Sequence, residues 1–352
     1  MRVIGSIADF AQETVAKCYA SRQERISANR AWRSMFFSGS IDETPAIYNK
    51  CEPHIKRKTA WLISPADVRF AIEFDYTDGE PWLARAQRAS TYLSREYHRT
   101  ATDLAFGCGV EWALVKGATV LKHLWGRDGV EPWLVQPEFF GVLDETINDL
   151  GRQEAFVHTT YLLPDQLARM LKHHPERENI MDAVRAGGTQ RKDDDPRQDD
   201  FFHQIIIGGT QPVTTGPNTG KGMVSIVGGP TPKLDPQVMA SLVEFNELWF
   251  IDDEREDYTT IQYVNAGGPV VIEGEIKRRN LMGDNECVKM HQPFTKICPN
   301  EVDGYFWGRS ELASVQLLQE MINRRITDIR SIWRRQARPS CRRIASPDRR
   351  PP

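Results

Sequence analysis

The stretch that most constrains this chain lies near its C-terminal end, where CPNEVDGYFWGRSELASVQLLQEMINRRITDIRSIWRRQARP runs from Cys298 to Pro339. A glycine-punctuated aromatic turn leads straight into an unbroken helical pattern. Ser310 is a good N-cap, and Glu311 sets a carboxylate at the positive end of the helix dipole. No Gly or Pro intervenes before Pro339, which predicts a helix ending at about Arg338. At about 1.5 Å per residue that is a rod of roughly 40 Å. Leu312, Val315, Leu318, Ile322, Ile326, Ile329 and Trp333 recur at spacings of three and four, a stripe about 120° wide that predicts one packed face. Arg330, Arg334 and Arg338 line up at i, i+4, i+8 away from it, with Arg324 and Arg335 further round.

Charge sharpens this reading. From Ser310 to the last residue there are ten Arg and no Lys against Glu311, Glu320, Asp328 and Asp348, a net +6; the whole chain is −3, so residues 1–309 carry −9. A solvated helix face accounts for many such patterns. A column of Arg without Lys points instead to phosphate contacts, because the guanidinium fork matches phosphate oxygens.

Composition bounds the class. At 352 residues with 40% hydrophobic and 26% charged side chains, the chain is long enough for two or three folded units. No apolar run reaches the length of a membrane span, and Arg2-Val-Ile-Gly followed by polar residues is not a signal peptide. Cys18, Cys51, Cys108, Cys287, Cys298 and Cys341 are scattered with no CxxC pair, which argues against structural zinc or a disulfide framework and fits a reducing cytoplasm.

Along the chain, residues about 6–36 and Thr44–Leu62 read as helices, and Val68–Phe74 as a strand. Pro81 opens a further helical pattern that runs to Gly117, with breaks expected near Gly107 and Gly109. Ala118–Trp125 and Val130–Gln136 flank the turn Arg127-Asp128-Gly129 as a hairpin. Ala155–Leu162 is a strand, followed by a short helix from Pro164 to about His173. Between Gly187 and Pro232 the composition turns to charged and Gly/Thr/Pro-rich loops, with Phe201–Ile207 and Met223–Val227 as short strands. Beyond Asp235, Val238–Phe245 reads as a short helix, and Leu248–Ile251, Tyr258–Val264, Val270–Ile276 and Val288–His291 as strands. The sum is an α+β chain with a small β-rich part just before the Arg-rich helix.

Several fragments imitate catalytic sites. GPNTGKG (Gly216–Gly222) has three residues, not four, before its Gly-Lys, and Gly222 where a phosphate loop needs Ser or Thr; it reads as a flexible loop. GCGVEW (Gly107–Trp112) lies inside a helical pattern rather than after a strand, so it is no dinucleotide fingerprint. Pro175 breaks the spacing that His173, His174, Glu176 and Glu178 would need to bind a metal. Asp252, Asp253, Glu254, Glu256 and Asp257 could hold Mg²⁺, but a solvated acidic turn between strands is the better reading. Cys298 has no nearby His or Asp and reads as a structural thiol. These residues build no catalytic constellation, cofactor site or metal site.

From about Ala31 to Pro339 the chain resembles the portal (connector) proteins of tailed bacteriophages. The resemblance rests on four pieces in order: AWRSMFFSG; GATVLKHLW…VEPWLVQPEFF with the helix at LLPDQLARML; VEFNELWFIDDEREDYTTIQYV; and the run from NLMGDNECVKM through RSIWRRQARPS. It implies a homo-oligomeric, dodecameric ring at one capsid vertex, with no catalysis of its own. Residues 1–231 would be the wing, with a flexible insertion at about 187–231. Residues 232–307 would be the β-rich clip, with a short stem helix at its start. Residues 308–338 would be the Arg-rich stem helix leading to the tunnel loop, and 339–352 an irregular basic tail. The turn Gly304, Trp307, Gly308, Ser310 would carry clip into stem; the apolar stripe would pack stem against stem; and Arg324, Arg330, Arg334, Arg335 and Arg338 would face the DNA channel or the capsid rim. Implied partners are double-stranded DNA read without sequence specificity, the terminase large subunit, the major capsid protein and scaffold, and a head-completion adaptor, with no membrane. The protein would reside in the virion after synthesis in the bacterial cytoplasm.

Family members usually continue past the tunnel loop into a long kinked helix and often a crown. Here SCRRIASPDRRPP follows instead, and the expectation is a chain lacking that C-terminal wing and crown part. The alternative function from the residues themselves is a Mg²⁺-dependent nuclease using Asp252, Asp253 and Asp257. A basic-tailed binding protein is a third.

Overall fold

The computed structural model describes residues 7–39, 48–63, 72, 80–126, 129–187, 242–252, 257–266, 268–277 and 292–337. In chain order the elements are α1 (Ile7–Cys18), α2 (Arg22–Ser38), α3 (Cys51–Leu62), α4 (Glu80–Arg99), α5 (Thr102–Lys116), β1 (Thr119–Gly126), β2 (Gly129–Val135), β3 (Phe140–Val142), β4 (Ala155–Leu162), α6 (Pro164–Met170), α7 (Arg177–Gly187), β5 (Val243–Asp252), β6 (Asp257–Asn265), β7 (Pro269–Lys277), β8 (Phe294–Ile297) and α8 (Leu312–Ala337). The mixture is α+β with antiparallel sheets, as the sequence predicts at that level.

Two sheets form the centre. One has the order β2-β1-β8, the other β3-β4-β5-β6-β7. β4 is buried along almost its whole length and so lies between layers, with alternate residues facing opposite ways. On one face Phe156, His158 and Thr160 stand beside Trp249, Glu247 and Phe245 of β5, their register partners. Phe156 and Trp249 stack at 6.0 Å, and the Phe294 ring of β8 meets both edge-on at 5.4 and 5.7 Å. This aromatic cluster joins the sheets. The other face carries Val157, Leu248, Phe250, Ile261 and Tyr263 against Ala11, Val15 and Cys18 of α1. Further along the first face, Leu167, Leu171, Ile180 and Met181 of the α6–α7 region cover Val243, Phe245, Val264 and Ile272.

α5 is the hub of the helical layer. Its apolar residues run all the way round it, which suits a helix buried on every side. Val110, Trp112, Ala113 and Leu114 share one cluster with Met35, Phe36, Ile55, Leu121, Ile297 and Leu312. α5 therefore lies between the three-stranded sheet and the helices α2, α3 and α8. Two buried ion pairs cross these layers. Lys116 reaches Glu138 at 2.6 Å and Gln136 at 2.9 Å. Lys122 of β1 bonds Glu247 of β5, linking one sheet to the other. Removing either partner of such a pair leaves a buried charge, at a cost of about 3–5 kcal/mol.

Several expectations change. The helix expected over 6–36 is two helices broken at Tyr19–Ser21. The break in the helical pattern before Gly117 falls at Ala101, whose φ of 54° is left-handed, and not at Gly107 or Gly109. A Cβ on Gly109 would stand 2.7 Å from Ile297 Cδ1, so this glycine serves close packing within a continuing helix. Val243–Phe245 opens a strand rather than ending a helix, because it pairs with β4; Val238 to Ser241 lie outside the described residues. Among the described residues the β-rich part expected at 232–307 forms no sheet of its own. β5 pairs along its length with β4, and β8 pairs with β1, so these strands complete sheets begun in the first half of the chain. The expected strands Val68–Phe74, Phe201–Ile207, Met223–Val227 and Val288–His291 fall largely or wholly outside the described residues, as do the insertion expected at about 187–231, apart from Gly187, and the tail 339–352.

Candidate functional site

The sequence singles out α8 and its lead-in, and the geometry there is specific. The lead-in is held by the body before the helix begins. Phe306 and Trp307 are buried, and Trp307 Nε1–H donates to Glu145 Oε1 at 2.8 Å. The Arg25 guanidinium lies 4.0 Å from the Trp307 ring centroid, with its Nε 3.4 Å from the same Glu145 oxygen, and Ser21 also donates there. Gly308 has φ 64°, and a Cβ on it would meet Cys298 Sγ at 2.3 Å and Asn300 O at 2.8 Å. Gly117, with φ 103°, touches the same turn, since a Cβ there would lie 2.6 Å from Trp307 O. Only glycine fits either position. Gly304 also has a positive φ, 69°, in an open setting.

Ser310 starts the helix as the sequence predicts. Its Oγ accepts the Leu312 N–H at 3.1 Å and donates to Val115 O at 2.5 Å. The Glu311 N–H donates to Leu114 O at 2.8 Å. Burial alone would raise the Glu311 carboxyl, but Lys58 Nζ at 2.5 Å, His54 Nε2 at 3.2 Å and Asn300 Nδ2 at 3.0 Å hold it below the usual range. Leu312 is fully buried, and Val315 packs beside it on the α5 cluster.

The rest of the predicted stripe packs only in part within the chain. Ile322 and Ile326 are half-buried, whereas Leu318, Ile329 and Trp333 are exposed, Trp333 to 71%. Leu317, Met321 and Ile332 add to the exposed apolar surface, Leu317 at 72%. Thr327 to Gln336 are all exposed. The roughly ten residues from Thr327 to Gln336 therefore project roughly 15 Å from the described body at 1.5 Å per residue. On this length Ile329, Ile332 and Trp333 occupy one side of the helical wheel. Thr327, Arg330, Ser331, Arg334 and Arg335 line a shallow groove on the other. Arg324 is exposed at the edge of that polar side, and Arg338 lies outside the described residues.

The residues missed by sequence reasoning are polar ones at the base of α8. Gln319 and Asn323, one turn apart, face inward beside Leu312 and Val315 and bond the ends of α2 and α3. Amides break an apolar stripe, so a pattern of apolar spacings passes over them. Their position one turn apart between Val315 and Ile326 is the signal that could have found them.

The catalytic imitations fall as follows. Asp252 and Asp257 are the last register pair of the β5–β6 hairpin, with Asp253, Glu254 and Glu256 outside the described residues. His174 Nε2 lies 3.0 Å from Ile272 O and its Nδ1 accepts the Glu176 N–H. Burial pushes the Cys298 thiol up, the wrong direction for a nucleophile. Gly107–Trp112 is inside α5, and Gly216–Gly222 lies outside the described residues. Among the described residues no three His, Cys, Asp or Glu converge as a metal site, and no helix is long and apolar enough to cross a membrane. No protein family and no curated protein matches this chain.

Proposed function

We propose that this chain is a portal subunit, one of the copies that form the ring-shaped channel at a capsid vertex. The observation that carries this is the unfinished α8: anchored at its base by a capped turn, with an exposed apolar band on one side, broken by Arg325, and Arg330, Arg334 and Arg335 on the other. In a ring, Leu317, Leu318, Met321, Ile329, Ile332 and Trp333 bury against neighbouring copies. Six large apolar side chains so covered remove the kind of patch that a lone soluble chain rarely presents. The arginines then meet phosphates or the capsid rim. Phosphate contact without base contact suits a channel through which any sequence must pass.

On this reading the ring passes DNA inward during packaging and outward during ejection, and its outer end receives the terminase motor and later the head-completion adaptor. The α+β body meets the major capsid protein and scaffold. The subunit performs no catalysis. Purified protein viewed by negative stain should show rings with a central hole. A monomer that cleaves DNA when Mg²⁺ is added would overturn the reading in favour of a nuclease built on the Asp252/Asp257 hairpin end.

A further inference from the structure

We propose that Gln319 and Asn323 are the positioning residues that aim the projecting half of α8. Gln319 is 2% exposed and uses its whole amide. Its Oε1 accepts the Lys50 N–H at 2.9 Å, with Cys51 Sγ at 3.8 Å. Its Nε2 donates to Tyr48 O at 3.0 Å and to Asn323 Oδ1 at 2.9 Å. Asn323 Nδ2 in turn donates to Gly39 O at 2.8 Å. The partners are main-chain groups at two helix ends. Gly39, with φ 70°, is the C-cap of α2; Lys50 is the N-cap of α3 and supplies no side-chain cap itself. Two amides on α8 thus satisfy backbone groups that the other two helices leave open.

The physical reason for amides here is direction. An apolar contact is non-directional and lets a helix slide or roll at small cost. A buried, fully bonded amide fixes one register and one rotation, since any other leaves buried polar groups unpaired at about 1–3 kcal/mol each. Rotation matters for α8 because its two sides differ. A roll of half a turn would exchange the apolar band for the arginine groove, and a smaller roll would aim both away from their places. Beyond Asn323 the described hydrogen bonds of α8 stay within the helix, Thr327 to Asn323 O and Ser331 to Asp328 O, so among the described residues the two amides are its outermost directional ties to the body.

This inference rests on the reading that the projecting half is the working part, but its test does not use assembly or DNA. Spin labels carried by non-natural amino acids at Ala60 on α3 and Gln336 on α8, in a sample diluted with unlabelled protein, report the angle as a distance distribution. The native chain should give one narrow peak. Gln319→Leu keeps the volume and removes the bonds; the peak should at least double in width or shift, with helix content by circular dichroism unchanged. Asn323→Ala, at a half-buried position, should act in the same direction and carries the test alone if the first variant does not fold. Gln316→Ala is the control, because Gln316 bonds only Glu320 of its own helix; it should leave the peak as it is. Native-width peaks in both joint variants would overturn the proposal. Failure of the portal reading shows separately, as a native chain with a narrow peak that forms no rings.

Discussion

Glu247, Lys122 and His158 concentrate the electrostatics of the interior. Burial and the nearby Lys122 charge bring the His158 ring down from 6.5 to about 4, so the folded protein holds it neutral across most acid conditions. Burial works against the Glu247 carboxylate, yet the adjacent Lys122 ammonium holds it well below its usual range. The signs agree. As pH falls from 6.5 to about 4 the unfolded chain takes up a proton on His158 that the folded chain refuses, so stability drops. Below the ordinary Glu range the stabilisation from Glu247 is lost as well. His158→Asn should therefore flatten the decline in urea-unfolding free energy over pH 6.5 to 4 by on the order of 3 kcal/mol. An unchanged pH profile would show that the ring is not held neutral. Single residues were the least legible part of the sequence. Nothing near Lys122 in the chain announces Glu247, because their meeting depends on two sheets stacking.

At the scale of elements, what could be read depended on how local each cause is. The β1–β2 hairpin follows from Arg127-Asp128-Gly129, and β4 lies where its Val, Thr and aromatic run predicts, at Ala155–Leu162. Ser310 capped α8, and Pro339 lies just past its last described residue, Ala337. The break between α1 and α2 carries no local signal, since Tyr19-Ala20-Ser21 has no Gly or Pro and Ser21 is held by distant Glu145. β8 escaped because its four residues form a strand only by pairing with β1, some 175 positions earlier. For α8 the periodicity gave the helix and its two sides, but not which apolar residues the chain covers itself. Replacing Arg330, Arg334 and Arg335 with Gln should leave rings intact. Each lost phosphate contact should lower the salt dependence of DNA binding by about one unit of slope. Rings that fail to form would place these arginines between subunits.

Over its described residues the molecule is two antiparallel sheets clasped through Phe156, Trp249 and Phe294, with α5 carrying the helices that seat α8. Its α+β character was legible from the order of apolar patterns. The interleaving of early and late strands was not, because local periodicity carries no register between distant segments. That interleaving has a consequence for the portal reading: the strands expected in a protruding clip are built into the same sheet as β3 and β4. The central claim is that α8 is completed by other copies of the chain. Particle mass in solution tests it most directly, measured for the native protein and for Ile332→Ser with Trp333→Ser, two exposed positions whose change leaves the body intact. The account predicts a closed assembly of many copies for the native chain and a folded monomer for the variant. A native chain that stays monomeric at high concentration, or a variant that assembles equally well, would contradict it.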